Sequence, residues 1–498
     1  MWKKIFNILK HPLFILFLIL IIGLILRLIN IDRTSFWYDE AFTGDILKLS
    51  WKDMFAVIAA DKVHPPLFYV LIRTWSIIFG ITQFSLRSFS VFFGLCGIGL
   101  SYFVGKELFK KESYPVTGLV LALVVAISPF FVSYSVEARA YSFLAFLALG
   151  LAYSVYKLLN SIKGKERTKY LIATLLLAVV LCGTHYLQVV YVIAIVCAGL
   201  IYKFVFTEKG LNKRWLYVFL GIVLAVALAV IFLPLKSFVS NLGISGMWWV
   251  PDIKLYEVVR VYYSYFLGVV RYMDGVPPVR ELIFSIPTLV FGGVMFGLHL
   301  IGYVLTLVSK KIVLEEKRKI SFFFSLALIT FLGFYLLGVL NFNCFVERYT
   351  IAGGILLLIS FWMIMSSLIK KWFILIPIGI YIAFLFMLKP MPTRTDYREV
   401  AKALDDMNNV QRYVFTSPTD LIDSQFYMSH TNVYYSYELK GEYPGWALLN
   451  DDVNGIDIKD VKEGDILVVP NTEIDKYINL GYSISETFYD GRFSILTK

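Results

Sequence analysis

Eleven apolar runs, most of them about twenty residues long, leave this chain few folds to choose from. They lie at roughly 12–29, 86–106, 115–134, 139–158, 169–186, 187–206, 215–235, 284–308, 320–340, 349–369 and 372–388. Runs of this length match the hydrocarbon thickness of a bilayer when helical, and only closed hydrogen-bonding patterns survive there. A chain that is 58% hydrophobic, with mean hydropathy +0.71, cannot cover itself with polar surface, so the expectation is an all-α polytopic membrane protein. Charge sets its direction. Lys3, Lys4 and Lys10 precede the first run, which places the N-terminus in the cytoplasm and makes that run an uncleaved anchor with no small-residue cleavage site after it. Eleven crossings then put the C-terminus outside. Lys106/Lys110/Lys111, Lys157/Lys163/Lys165/Arg167/Lys169, Lys203/Lys209/Lys213/Arg214, Lys310/Lys311/Lys317/Arg318/Lys319 and Lys370/Lys371 all fall on the cytoplasmic side under this count. Pro65 to Phe79 is apolar too, but it is short, carries Arg73 and would invert every later loop if it crossed. It reads as an amphipathic helix in the outer interface, opened by prolines. The first outer loop, about 30–85, is therefore structured.

A second outer loop, about 236–283, is rich in Trp248, Trp249, Pro251, Tyr262, Tyr263, Tyr265, Pro277 and Pro278, as expected of interfacial aromatics; a lid or substrate-binding role is the alternative. After Lys389-Pro390-Met391-Pro392 the composition changes. Residues 391–498 hold 10 Lys/Arg against 18 Asp/Glu, a balance of −8, while 1–390 carry +19. A helix is expected over Tyr397–Met407 and over Thr472–Leu480. Strands are expected at Arg412–Thr416, Val433–Tyr437 and Asp465–Val469, with a terminal hairpin over Tyr482–Leu496. The chain thus divides into a membrane domain, 1–389, and a small outer-facing α/β domain, 390–498. Cys96, Cys182, Cys197 and Cys344 have no metal-ligand or disulfide-framework spacing. Nothing points to nucleic acid; the basic residues are anchors beside anionic lipid.

The ionisable residues sort by side. Lysines dominate the cytoplasmic loops, whereas the outer boundary gathers Asp39, Glu40, His64, Arg73, Arg87, Glu137, Arg139, His185, Glu347 and Arg348 from separate segments in apolar or aromatic surroundings. Carboxylates near a bilayer are partly desolvated and need partners or a task. An arginine there offers a permanently charged donor fork suited to a phosphate oxygen, although a single one would serve equally to reach a lipid headgroup. No cytoplasmic loop is long enough for a nucleotide-binding fold, and no glycine-rich phosphate loop is present. A transporter or flippase would instead place charges near the bilayer midplane, away from which these cluster.

Phe36-Trp37-Tyr38-Asp39-Glu40-Ala41, His64-Pro65-Pro66-Leu67, Leu86-Arg87, Ser133-Tyr134-Ser135-Val136-Glu137-Ala138-Arg139-Ala140-Tyr141, Thr184-His185-Tyr186 and Arg348-Tyr349 occur in this order. In that order and spacing the chain, over roughly 10–370, resembles the bacterial family 39-like glycosyltransferases of the GT-C membrane class, with the protein O-mannosyltransferases and the lipid A aminoarabinose transferase. The resemblance implies sugar transfer from a polyprenyl-phosphate sugar to a lipid, glycan or protein of the envelope at the outer membrane face. By family position Asp39 is the base, and Glu40 shapes its setting or helps hold a metal. Arg139 and then Arg348 meet the lipid phosphate, while His64, Arg87, Glu137, Tyr141, His185 and Glu347 line or support the site. One base and a phosphate leaving group imply inversion. A divalent metal is implied for some relatives, but no ligand set is legible here. The rival readings are a flippase of lipid-linked sugars, a glycan polymerase or ligase, and a noncatalytic receptor or assembly protein. The resemblance stops before 390 and assigns the C-terminal domain no role.

Overall fold

The computed structural model describes residues 11–61, 64–108, 114–161, 164–206, 255–268, 286–339, 344–369, 373–387, 396–407, 410–429, 433–435, 460–487 and 493–497. Among the described residues eight helices are long and apolar enough to cross a membrane. These are α1 (Pro12–Ile31), α5 (Gln83–Leu108), α8 (Tyr141–Asn160), α9 (Lys165–Thr184), α12 (Ile286–Val308), α13 (Leu314–Val339) and α14 (Ile351–Leu368), together with α10 (Val189–Phe206) and the 3-10 turn Tyr186–Gln188 that opens it. Each answers one of the expected runs. The run at 215–235, and with it Trp248, Trp249, Pro251, Pro277 and Pro278, lies outside the described residues.

Two runs are shorter as helices than as sequence. The 115–134 run divides into α6 (Tyr114–Ile127) and α7 (Pro129–Tyr134) at Ser128, whose backbone turns out of the helical region (φ −58°, ψ 121°). Proline disfavours helical geometry in the residue before it and brings no N–H, so Ser128-Pro129 interrupts a run that hydropathy reads as continuous. The 372–388 run is helical over Leu375–Met387 (α15).

The chain forms two compact units, one of Met1–Leu28, Ser90–Val136 and Ala140–Met391, the other of Ile29–Phe89, Glu137–Arg139 and Pro392–Lys498. In the first unit α8 packs on α9, α13 on α14 and α10 on α13. Helix α14 is almost wholly buried, whereas α1 and α12 expose apolar side chains such as Ile29 and Ile301, as helices facing lipid do. Gly118 faces α5 so closely that a Cβ would stand 2.7 Å from the Tyr102 carbonyl oxygen; small residues admit such backbone approach. Arg27, fully buried near the end of α1, donates from Nη1 to the carbonyls of Gly23 (2.9 Å) and Ala126 (3.2 Å). A guanidinium suits the negative end of α6, where Ala126 sits. At one end of this unit Lys157 meets Glu107 at 2.9 Å and Glu166 at 4.0 Å, joining the ends of α5, α8 and α9 that parity assigned to one side.

The second unit begins with three helices between α1 and α5: α2 (Tyr38–Ile46), α3 (Trp51–Asp61) and α4 (Leu67–Phe79). The last is the expected proline-opened helix. It buries Phe68, Tyr69, Ile72 and Ser76, leaves Ile77 and Ile78 exposed, and ends at Gly80 with φ +84°, a left-handed stop that suits glycine. Arg73 donates to the Leu47 carbonyl and lies 5.2 Å from the Trp51 ring, which ties α4 to the end of α2.

The C-terminal part of this unit is the expected small α/β fold. Helix α16 (Tyr397–Asp405) precedes β1 (Tyr413–Phe415), α17 (Pro418–Gln425), β2 (Val433–Tyr435) and β3 (Ile466–Pro470); α18 (Ile474–Ile478) then leads to β4 (Ser483–Thr487) and β5 (Phe493–Thr497). The sheet order is β2-β1-β3-β5-β4, parallel across β2, β1 and β3 and antiparallel beyond. Val414, Leu467, Val469 and Leu496 close its core with Tyr477 and Tyr482. The strands expected at 412–416 and 465–469 and the outer ends of the final hairpin are met within one residue, and β2 begins at the expected Val433, while 436–437 lie outside the described residues; alternating or wholly apolar short runs between turn residues allow this.

Candidate active site

Trp37 caps helix α2, and its extended backbone (φ −104°, ψ 168°) leaves its carbonyl to accept from the Glu40 and Ala41 amides at 2.7 and 2.9 Å. Asp39 and Glu40 therefore occupy the first helical turn, where the amide ends favour negative charge. Successive residues on a helix point about 100° apart, and the two carboxylates meet different surroundings for that reason. Glu40 turns inward and is 1% exposed. Arg87, in the second turn of α5, grips it with a fork: Nε to Oε1 at 2.9 Å and Nη2 to Oε2 at 2.7 Å. The Ala138 amide adds 2.7 Å to Oε1. The remaining Arg87 protons go to the carbonyls of Ile31 (2.7 Å), Thr34 (2.7 Å) and Ser35 (3.0 Å). All five guanidinium donors are thus engaged, so Arg87 has none left for a substrate. Its work is to join the end of α1, the start of α2 and the Glu137-Ala138-Arg139 turn.

Asp39 turns the other way and keeps 22% of its side chain exposed. Its neighbour is Arg139, delivered by a tight turn in which the Arg139 amide donates to the Glu137 carbonyl at 2.7 Å. Arg139 is buried; Nη1 donates to the Asp39 carbonyl at 3.2 Å and to Thr43 Oγ1 at 3.0 Å, and Nη2 lies 4.0 Å from Asp39 Oδ2. Nη2 also lies 3.1 Å from His64 Nε2. An arginine only donates, so this contact makes Nε2 the acceptor and leaves the imidazole proton on Nδ1. Tyr69 on α4 completes the surround. Burial pushes its phenol up to about 12, the Arg139 charge and hydrogen bond pulling the other way, and it stays protonated at neutral pH.

Asp39, Glu40, His64, Arg87, Glu137 and Arg139 all belong to the second compact unit. Thr43 and Tyr69 carry no motif that would single them out; Thr43 is found only once α2 is known to be helical, since it stands one turn after Asp39. The remaining expected residues belong to the first unit. His185 caps the 3-10 turn after α9, accepting from the Leu187 amide at 3.3 Å, and lies 5.4 Å from the Tyr349 ring. Arg348 lies 5.3 Å from the same ring. Tyr141 opens α8 and packs edge-on against Tyr134. Glu347 pairs at 3.1 Å with Arg260, which also holds Glu257 at 2.5 Å. Glu257 and Arg260 belong to helix α11 (Leu255–Leu267) inside the expected aromatic loop, where only their charge among aromatics could have marked them.

As ligands for a divalent ion the two adjacent carboxylates fit poorly. Both Glu40 oxygens already accept from a guanidinium whose charge repels a cation, and no three His, Cys, Asp or Glu side chains converge among the described residues.

Residues 63–233 match the family model described as dolichyl-phosphate-mannose-protein mannosyltransferase. Over that stretch the O-mannosyltransferase resemblance is borne out. The matched segment contains His64, Arg87, Glu137, Arg139, Tyr141 and His185, while Asp39 and Glu40 precede it. No curated protein matches the chain. Among solved structures, ArnT from Cupriavidus metallidurans bound to undecaprenyl phosphate is similar at 14% identity and TM-score 0.48, over 96% of this chain and 97% of that one. The archaeal oligosaccharyltransferase AglB from Archaeoglobus fulgidus, in complex with an inhibitory peptide and a dolichol-phosphate, is similar at 12% identity and TM-score 0.49, over 98% of this chain and 74% of that one.

Proposed function

We propose that this chain is an integral membrane glycosyltransferase that takes a sugar from a polyprenyl-phosphate carrier and passes it to a hydroxyl-bearing envelope acceptor. The observation that carries the reading is the division of labour at the start of α2: one carboxylate locked by Arg87, its neighbour part-exposed beside Arg139, on a chain whose next segment matches a mannosyltransferase family. Asp39 takes the proton of the acceptor hydroxyl as its oxygen bonds to the anomeric carbon. The carbon–oxygen bond to the phosphate breaks with its electron pair on the phosphate, and polyprenyl phosphate leaves. Arg139, with Arg348 as the second candidate, supplies positive charge for that phosphate. Attack opposite the leaving group inverts the anomeric centre. Glu40 and Arg87 act on Asp39 only by fixing the helix that carries it. Loop charge places the N-terminus in the cytoplasm and Asp39, with the 390–498 domain, at the outer face.

The test is reconstitution with polyprenyl-phosphate sugars and measurement of polyprenyl phosphate release with acceptor glycosylation. Arg139→Ala is expected to raise the donor KM and lower turnover on the order of tenfold or more, with Arg139→Lys recovering only part because a lysine lacks the fork. Wild-type protein that releases no polyprenyl phosphate from any donor overturns the reading; unchanged donor KM and turnover in Arg139→Ala would place the phosphate elsewhere. Orientation has its own check. Single cysteines replacing exposed Lys52 and Lys402 should react with an impermeant reagent added outside intact cells, and one replacing exposed Lys165 should not. The reverse pattern inverts the topology.

A further inference from the structure

We propose that Phe426 and Tyr427, at the end of α17 in the C-terminal fold, are positioning residues that clamp the helix carrying Asp39, so that transfer depends on a domain holding none of the chemistry. This rests on the function proposed above. The Tyr427 hydroxyl accepts from the Phe36 amide at 2.7 Å, one residue before the Trp37 cap of α2. The same hydroxyl donates to Gln83 Oε1 at the start of α5, one turn before Arg87. Tyr427 thus links the two chain segments that Glu40 and Arg87 join. Burial raises its phenol, keeping the proton it needs to donate.

The Phe426 ring lies 4.8 Å from the Phe36 ring and presses on α2 at Gly44, where a Cβ would stand 2.5 Å from Phe426 Cε2. Gly44 is helical, so glycine is required there for room and not for its backbone angles. Lys48, paired with Asp45 at 2.8 Å, lies 4.2 Å from the Phe426 ring and donates to the Phe426 carbonyl at 3.4 Å. The C-terminal fold also reaches the chain before α2 through the Tyr397 amide on Ser35 Oγ (3.0 Å) and Arg398 on Asp32 (3.2 Å). These contacts hold both ends of α2. A short helix, nine residues long, is marginal by itself and keeps its place through packing. Misplacing a reacting group by about 1 Å can lower turnover 100-fold.

Tyr427→Phe removes the amide and Gln83 bonds while keeping the ring. It should lower kcat on the order of tenfold with the donor KM within about twofold and thermal stability little changed. Amide exchange measured by mass spectrometry should rise severalfold over residues 36–46 alone. Gly44→Ala should show the same kinetic split, and Phe426→Leu in that background should restore part of the lost turnover, because the smaller side chain makes room for the methyl group. Unchanged exchange in Tyr427→Phe overturns the clamp whatever the activity. Raised exchange with unaltered kcat overturns its part in catalysis. A wild-type protein inert toward every donor defeats the proposed function, and the exchange experiment then still decides the contact.

Discussion

Asp39→Asn is expected to lower turnover by about 10²–10⁴-fold, the usual contribution of a positioned general base, while leaving the donor KM and thermal stability near the wild-type values. The substitution is nearly isosteric. Asp39 keeps 22% of its side chain exposed, and Arg139 bonds its backbone carbonyl at 3.2 Å, which asparagine retains; the side-chain contact is longer, at 4.0 Å. The amide cannot take a proton from the acceptor. Steady-state transfer with a polyprenyl-phosphate sugar, together with a melting curve in the same detergent, checks both halves. A variant that turns over normally would remove Asp39 as the base and direct attention to the second ionic group, Glu257, Arg260 and Glu347.

Arg87→Ala should have the larger effect on the protein itself. It leaves the Glu40 carboxylate buried without its guanidinium and takes a donor from each of the Ile31, Thr34 and Ser35 carbonyls. Removing one partner of a buried ion pair typically costs about 3–5 kcal/mol, a large share of ordinary stability. The expected result is a steep fall in the folded fraction recovered by size exclusion. Glu40→Leu in the Arg87→Ala background should recover part of it, since the uncompensated charge is then gone. If the single variant folds and melts like wild type, the pair is not what holds the start of α2. The two outcomes separate the neighbouring carboxylates: Asp39 should matter to rate, Glu40 to structure.

That separation shows where reading the chain stops. Asp39 and Glu40 are adjacent, alike in chemistry and equally prominent in the motif, so nothing local ranks one above the other. Only the helical turn that rotates them apart, and what each then meets, gives them different work. The apolar helices and the proline-opened α4 were legible because each depends on composition and period within a single segment. So were the short strands of the C-terminal fold and its final hairpin. The break at Ser128-Pro129 is local as well, but a hydropathy run averages over one proline and conceals it. Tyr427 is different in kind. It stands 391 residues from Phe36, in a stretch with no motif, and its bond to the Phe36 amide carries no trace in either segment.

The order of the chain alone determined a polytopic helical protein with a small α/β fold at its end, and it singled out the acids and bases whose pairing matters. Hydrophobic length, charge bias and turn chemistry act over neighbouring residues, which is why they can be read in line. Tertiary structure decided which of those charges pair. Arg87 joined Glu40, Arg139 came beside Asp39, His64 and Tyr69 closed around it, and Tyr427 reached the start of α2. Side-chain pairing depends on distance in space, and sequence separation places no limit on it.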